Sequence, residues 1–207
     1  MSNFVVTIGR YCGSGGSSVG KLVAEKLGVN FYDKKLLRLA SDESGISEEL
    51  FAQADERLKN SLIYKVSRQI YKGELIPPES DDFTSNRNLF NYQAKVLREL
   101  AQQESYVVIG RCSDFILKDL PGVERVFICS DNESCIKHEA DRTSVSFREA
   151  EERCNKLNKY RSEYHRYYTG CEWTDPRNYD LVINTGRVSY EEAADMIVHH
   201  MKVRGLV

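Results

Sequence analysis

Apolar positions recur along this chain at two spacings, and the switches between them divide it into strands and helices. Val5, Val6 and Ile8 form a short β-branched run of the kind buried on both faces of a parallel sheet, and Val19, Leu22, Val23 and Leu27 then return at helical spacing. Gly28 is a C-cap for that helix. Val29 to Tyr32 predicts a second strand and Lys34 to Ala40 a helical stretch, with Asp33 between them as an N-cap, a role that can coexist with ligand contact. Ser47 to Tyr71 is helical and strongly polar, and Lys72 to Asn88, with Pro77, Pro78, Asp81 and Asp82, reads as an irregular excursion. Ser85 or Asn88 opens a long helix through Gln102 that puts Leu89, Tyr92, Val96, Leu97 and Leu100 on one face. Ser105 to Ile109, Val123 to Cys129 and Tyr179 to Asn184 supply three more strands. Between the last two, Asp131 caps a helix to about Arg142, and Ser146 with Glu149 has capping-box spacing ahead of Phe147 to Tyr168. Ser189 with Glu192 repeats that spacing before a closing helix, Tyr190 to Val203. Strands separated by helical stretches, without internal repeats, predict an α/β fold with a doubly wound parallel sheet and right-handed crossovers.

Composition bounds the function classes. With 207 residues, 41% hydrophobic and 29% charged, the chain is long enough for one α/β domain with its own core, and its net charge of −2 gives no general attraction to a nucleic acid polymer or an anionic membrane. Any anion site must come from local placement. No basic segment followed by an apolar stretch opens the chain and no apolar run could span a bilayer, so a cytoplasmic protein is expected. Cys12, Cys112, Cys129, Cys135, Cys154 and Cys171 lie far apart without a CxxC pair and read as reduced thiols; Cys12, beside a helix N-terminus, is either reactive or simple filling.

The candidate chemistry begins in FVVTIGRYCGSGGSSVGKLVA, where Gly13, Ser14, Gly15, Gly16, Ser17 and Ser18 separate the first strand from the first helix. Such a bend turns backbone N–H groups toward one point next to the positive end of a helix, which suits a phosphate. Two registers compete. Gly15, Gly20 and Lys21 fit GxxxxGK, but Leu22 then stands where a magnesium-binding hydroxyl belongs. Alternatively Arg10 to Ser18 follows the strand without a gap and resembles the GxxGxGKxT loop of nucleoside monophosphate kinases, which puts Ser18 on the magnesium hydroxyl and Gly16 on the lysine. The second register is preferred because it keeps Val19 and Leu22 on the buried helix face. Under it, restoring a lysine at position 16 is expected to raise activity.

Further along, Arg111 in Gly110-Arg111-Cys112 sits at the carboxyl end of the third strand, where open parallel sheets bind ligands; the alternative is a surface salt bridge. Lys137 to Tyr168 is densely charged, which reads either as a solvated face with i,i+4 pairs or as a phosphate-clamping lid. Tyr160, Tyr164, Tyr167 and Tyr168 recur near helical spacing, and core or hinge packing accounts for most of them. His199-His200 lies far from the loop and carries no metal or triad role.

Four ordered segments, GRYCGSGGSSVGKLVAEKLG, NFYDKKLL, YVVIGRCSDFIL and YRSEYHRYYTGCEWTDPRNYDLVINT, together resemble the cytidylate kinase-like family of P-loop nucleoside monophosphate kinases. The resemblance implies one P-loop domain over 1–207: a three-layer α/β fold, a five-stranded parallel sheet ordered 2-3-1-4-5, a helical acceptor-side insertion near 45–90 and a helical lid near 137–168. It implies transfer of the ATP γ-phosphoryl group to a pyrimidine nucleoside monophosphate such as CMP or dCMP. Gly13, Ser14, Gly15, Gly16, Ser17 and Ser18 would cradle the donor phosphates, Ser18 would bind Mg²⁺, Asp33 and Arg111 would hold the acceptor, and Arg142, Lys159 and Arg161 would act from the lid. A monophosphate is already anionic at neutral pH, so alignment and charge neutralisation suffice without a strong general base. The departure is Gly16. A missing lysine favours a second possibility, a module that binds a nucleotide or phosphate without transferring it, and a kinase for a small molecule other than a nucleotide is a third.

Overall fold

Burial on both faces makes the first apolar run the central strand. In the computed structural model, which describes residues 3–33 and 86–207, β1 (Val5–Arg10) pairs in parallel with β3 (Tyr106–Ile109) on one side and β4 (Val123–Cys129) on the other. The register sets Val5 opposite Tyr106 and Val123, and Ile8 opposite Ile109 and Val126. β2 (Asn30–Tyr32) and β5 (Leu181–Asn184) complete a five-stranded sheet ordered β2-β3-β1-β4-β5. That is the order the family resemblance implies.

Helices alternate with these strands as the periodicity predicts. α1 (Gly16–Leu27) follows β1, α2 (Asn86–Gln103) precedes β3, and a single turn, α3 (Ser113–Ile116), follows it. α4 (Asn132–Thr143) and α5 (Phe147–Thr169) lie between β4 and β5, and α6 (Tyr190–Val203) closes the fold. The side chain of Asp131 caps α4, and the boxes Ser146/Glu149 and Ser189/Glu192 open α5 and α6. The expected helices over 34–40 and 47–71 and the excursion over 72–88 lie outside the described residues, apart from the first turn of α2.

Contacts divide the chain into two units, Met1–Phe31 with Ser105–Val207, and Tyr32–Glu104. In the first, Val19 and Val23 of α1 and Ala193, Ala194, Ile197 and Met201 of α6 share a core with Val6, Ile8, Val126 and Ile128. Gly20 lets α1 lie close on the sheet: a Cβ there would stand 2.7 Å from Ile109 Cδ1 and 2.9 Å from the Phe31 ring. A second cluster joins Phe127, Trp173 and Tyr179 to Tyr11, and the Tyr179 hydroxyl donates to the Trp173 carbonyl at 2.6 Å. It ties the segment after α5 to the face of β4. At the opposite end of the sheet from the glycine bend, buried Glu124 accepts from His200 Nδ1 and from Arg204 Nη1, each at 2.6 Å. His200 thus serves as a structural partner. In the second unit, Val96, Leu97 and Leu100 are buried, and the Tyr32 hydroxyl donates to Glu104 Oε1 at 2.5 Å.

Candidate active site

The bend after β1 and the start of α1 open onto a cavity of about 240 Å³. Gly13 and Gly15 turn the chain with φ of 77° and 75°, a left-handed conformation that glycine adopts without strain. Side chains are also excluded by space, because a Cβ at Gly13 would meet the Cys135 carbonyl and one at Gly15 the Tyr190 ring. α1 starts at Gly16, and its first backbone bond runs from Val19 N to Gly15 O at 3.0 Å. The N–H groups of Gly16, Ser17 and Ser18 therefore have no carbonyl one turn behind them, and the positive end of the helix faces the cavity. Ser17 and Ser18 are exposed along the lining. Ser14 is different: its buried hydroxyl bonds the carbonyls of Tyr11 and Ile128, both at 3.0 Å, and its own carbonyl accepts from Thr185 Oγ1 at 2.8 Å. Its side chain fastens the bend to the end of β4, and its carbonyl ties it to the residue after β5.

The two loop registers now separate in space. Gly20 and Lys21 lie a turn inside α1, Gly20 against the sheet and Lys21 on the exposed face, so that GK pair is not part of the bend. At Gly16, a Cβ would stand 2.5 Å from Arg10 Cβ and 2.8 Å from Arg10 Cγ. A lysine stem at position 16 would start in the volume that the Arg10 stem fills, so the gain of activity expected from this change requires Arg10 to move.

Two helices fold over the loop and bring cations with them. Glu139 of α4 lines the cavity with only 2% of its surface exposed, and its carboxylate receives Arg142 Nη2 at 2.7 Å and Arg153 Nε at 2.9 Å. Arg161 of α5 donates from Nη1 to the carbonyl of Arg10 at 3.2 Å, and Asn158 Oδ1 accepts from Cys12 N at 2.8 Å. Burial lowers the Arg161 pKa, but a guanidinium still stays charged at neutral pH. Arg142 and Arg161 both line the cavity. Lys159 does not: its side chain is 78% exposed and, among the described residues, approaches only Glu163, at 3.9 Å, as the solvated-face reading has it.

At the end of β3, Gly110, Arg111 and Cys112 have φ of 69°, 60° and 53°, three successive left-handed residues of which two carry side chains. Such strain costs on the order of 1 kcal/mol or more per residue and persists where surrounding structure holds it. Arg111 bonds the Tyr164 phenol, while its buried Nε has no hydrogen-bond partner among the described residues. Three residues on, Asp114 Oδ2 meets His165 Nε2 of α5 at 2.8 Å, and His165 Nδ1 faces the Cys171 carbonyl at 3.1 Å. Burial lowers the His165 pKa, but Asp114 and that carbonyl outweigh it and the net shift is upward. Asp33 belongs to the other unit, where it follows β2.

The tyrosines of α5 form a ladder, with ring centroids 6.0 Å apart for Tyr160 and Tyr164 and 4.6 Å for Tyr164 and Tyr168. Core or hinge packing is the expectation for most of the four; Tyr160 and Tyr167 are exposed, so core packing does not describe these two. Cys12 is buried and acts as filling. Among the described residues, no group of three or more His, Cys, Asp or Glu side chains is placed to hold a metal, and no helix is long and apolar enough to cross a membrane. Sequence reasoning passed over Arg10, His138, Glu139 and Asn158 as site residues. Only the strand-end position of Arg10 could have marked it, because His138 and Glu139 reach the cavity, and Asn158 the loop backbone, through helix packing.

A glycine bend between the central strand of a 2-3-1-4-5 parallel sheet and a helix, with arginine-bearing helices over it, defines a P-loop kinase fold. The chain belongs to the cytidylate kinase-like family, whose model matches residues 5–187. It is similar to a protein of uncharacterised function from Eubacterium ventriosum ATCC 27560, with 28% identity over 97% of this chain and 99% of that one and a TM-score of 0.72. The fold alone is shared with a shikimate kinase from Bacteroides thetaiotaomicron (14% identity, 98% of each chain, TM-score 0.50). It is likewise shared with a gluconokinase from Sinorhizobium meliloti 1021 (17% identity, 96% of this chain and 93% of that one, TM-score 0.51). No curated protein matches the sequence. Family and fold together support a phosphotransferase acting on a nucleotide or another small molecule.

Proposed function

We propose that the protein transfers the γ-phosphoryl group of ATP to a pyrimidine nucleoside monophosphate, CMP or dCMP. The observation that carries this reading is the cavity itself, lined by the N-terminal turn of α1, by Arg142 and Arg161 of the helices over it, and by Arg10. Backbone N–H groups from Gly13 to Ser18 would hold the donor phosphates, and the lid arginines would neutralise charge as transfer proceeds. The exposed Ser18 hydroxyl fits Mg²⁺, which binds chiefly through substrate phosphates and water with few protein ligands. Bound there, the ion would screen the donor's negative charge. Arg111, with a strained backbone and a buried Nε that has no partner among the described residues, is the acceptor-side cation of this reading. Asp33 is carried to the acceptor by the family resemblance alone.

Release of ADP, followed by a coupled assay over CMP, dCMP, UMP, AMP and GMP, tests the reading. Shikimate and gluconate serve as acceptors that are not nucleotides. Turnover fastest with CMP or dCMP is expected; no release with any acceptor at high enzyme concentration would end the transferase reading. Gly16 in the lysine position favours a second reading, a nucleotide sensor. It predicts thermal stabilisation by ATP without ADP release.

A further inference from the structure

Arg10 ends β1, and its side chain follows a path cleared by two glycines. Its stem crosses the start of α1, where a Cβ at Gly16 would stand 2.5 Å from Arg10 Cβ, and its head reaches the turn after β3, where a Cβ at Gly110 would collide with Arg10 Nη1. Arg10 also lines the cavity onto which the N–H row of α1 opens. The carbonyl of the same residue is bonded by Arg161, so the end of β1 is fixed beneath α5. A lysine on the first residue of α1 would begin in the volume that the Arg10 stem fills. The two side chains therefore compete for one space, and this chain has an arginine from the strand where a P-loop has a lysine from the helix.

We propose that Arg10 is the phosphate-facing cation of this loop, holding the donor's terminal phosphates in place of the absent lysine. The inference rests on the nucleotide reading of the cavity. A guanidinium suits the task because it stays charged and presents a planar fork of donors that can grip two phosphate oxygens at once. Its stem passes the bend and its head ends at the turn after β3, so that the chain of Arg10 runs along the cavity from the donor side toward the acceptor side of this reading.

Calorimetric titration of ATP and AMP into the full chain tests this without requiring turnover. Arg10→Ala is expected to weaken ATP at least tenfold and AMP less than threefold, since AMP lacks the terminal phosphates. Gly16→Lys alone weakens ATP as well, because the new stem collides with Arg10. The double variant Arg10→Ala/Gly16→Lys is expected to bind ATP at least tenfold tighter than Arg10→Ala. Arg10→Gln, shorter than arginine but keeping the Cβ–Cγ stem and a polar end without the charge, covers the case in which alanine disturbs folding; it should lose tenfold while Arg10→Lys stays within about fivefold of the wild type. Arg10→Ala or Arg10→Gln binding ATP within twofold of wild type, equal losses for ATP and AMP, or a double variant no tighter than Arg10→Ala would overturn the proposal. Wild-type protein that binds ATP with this pattern but transfers phosphate to no acceptor would end the transferase reading and keep the role of Arg10. Transfer and ATP binding that survive Arg10→Gln would do the reverse, and wild-type protein that binds no ATP overturns both.

Discussion

Arg142 and Lys159 carry the same charge on the two helices over the loop, yet their surroundings predict opposite results on truncation. Arg142 is held at the cavity by buried Glu139, and Arg161 is anchored on the Arg10 carbonyl. Removing either cation should lower kcat for CMP phosphorylation by ~10²-fold, the usual scale for one lost charge-stabilising group. Among the described residues Lys159 reaches only the exposed Glu163, so Lys159→Ala should change stability by less than about 0.5 kcal/mol and leave kcat within about twofold. Steady-state ADP release and a thermal melt on the three variants check this, and a large loss in Lys159→Ala would restore its lid role. A contrast of this kind is not legible in sequence, where all three residues are cations in one charged stretch. Gly20 shows the same limit: next to Lys21 it fits a loop glycine in the register set aside, and neither register reveals that its demand is the 2.7 Å approach to Ile109. Gly20→Ala should cost about 1–3 kcal/mol by overpacking α1 on the sheet, seen as a lowered urea midpoint.

At the scale of elements, the lid helices were legible where their signals are local. Asp131 and the two Ser-x-x-Glu boxes set the starts of α4, α5 and α6 within the residues predicted, because a cap needs only its own first turn. What holds α5 over the loop is long-range and was hidden: Asn158 on Cys12 N, Arg161 on Arg10, and His165 on Asp114. The last pair gives α5 a pH dependence. Both ring nitrogens of His165 face acceptors, the Asp114 carboxylate and the Cys171 carbonyl, with Thr169 Oγ1 also 3.1 Å from Nδ1, an arrangement that suits the doubly protonated ring. Its folded pKa is raised above the unfolded value of about 6.5, so the native state binds the proton more tightly. The resulting stability is complete below that unfolded value and is lost as pH rises through the folded one. Urea midpoints should therefore fall from pH 6 to pH 8.5 in the wild type. In His165→Gln that fall should shrink and the protein should be less stable at pH 6; an unchanged slope would show that the pair does not titrate in this range.

At the scale of the whole molecule, alternation of apolar periods was enough to read a parallel α/β sheet, because strands buried on both faces and amphipathic helices have distinct patterns. The strand order came from family resemblance, since the pattern of one strand does not name its neighbours. Phosphate binding by the assembled loop can be separated from catalysis through linkage, because a ligand that binds only the folded protein raises its stability by RT ln(1 + [L]/Kd). ATP with magnesium at about a hundred times its Kd should add about 2.7 kcal/mol, which for a chain of this size raises Tm by roughly 5–10 °C. At the same concentration AMP, without β and γ phosphates to meet the N–H groups of Gly16, Ser17 and Ser18, should raise it less. Ser18→Ala should keep most of the ATP shift in EDTA but lose the extra shift that magnesium gives the wild type, because only the hydroxyl is removed. If Ser18→Ala responds to magnesium as the wild type does, the ion is held elsewhere. If ATP and AMP shift Tm equally, the cradle does not grip the terminal phosphates, and the donor side of the site must be sought away from the bend.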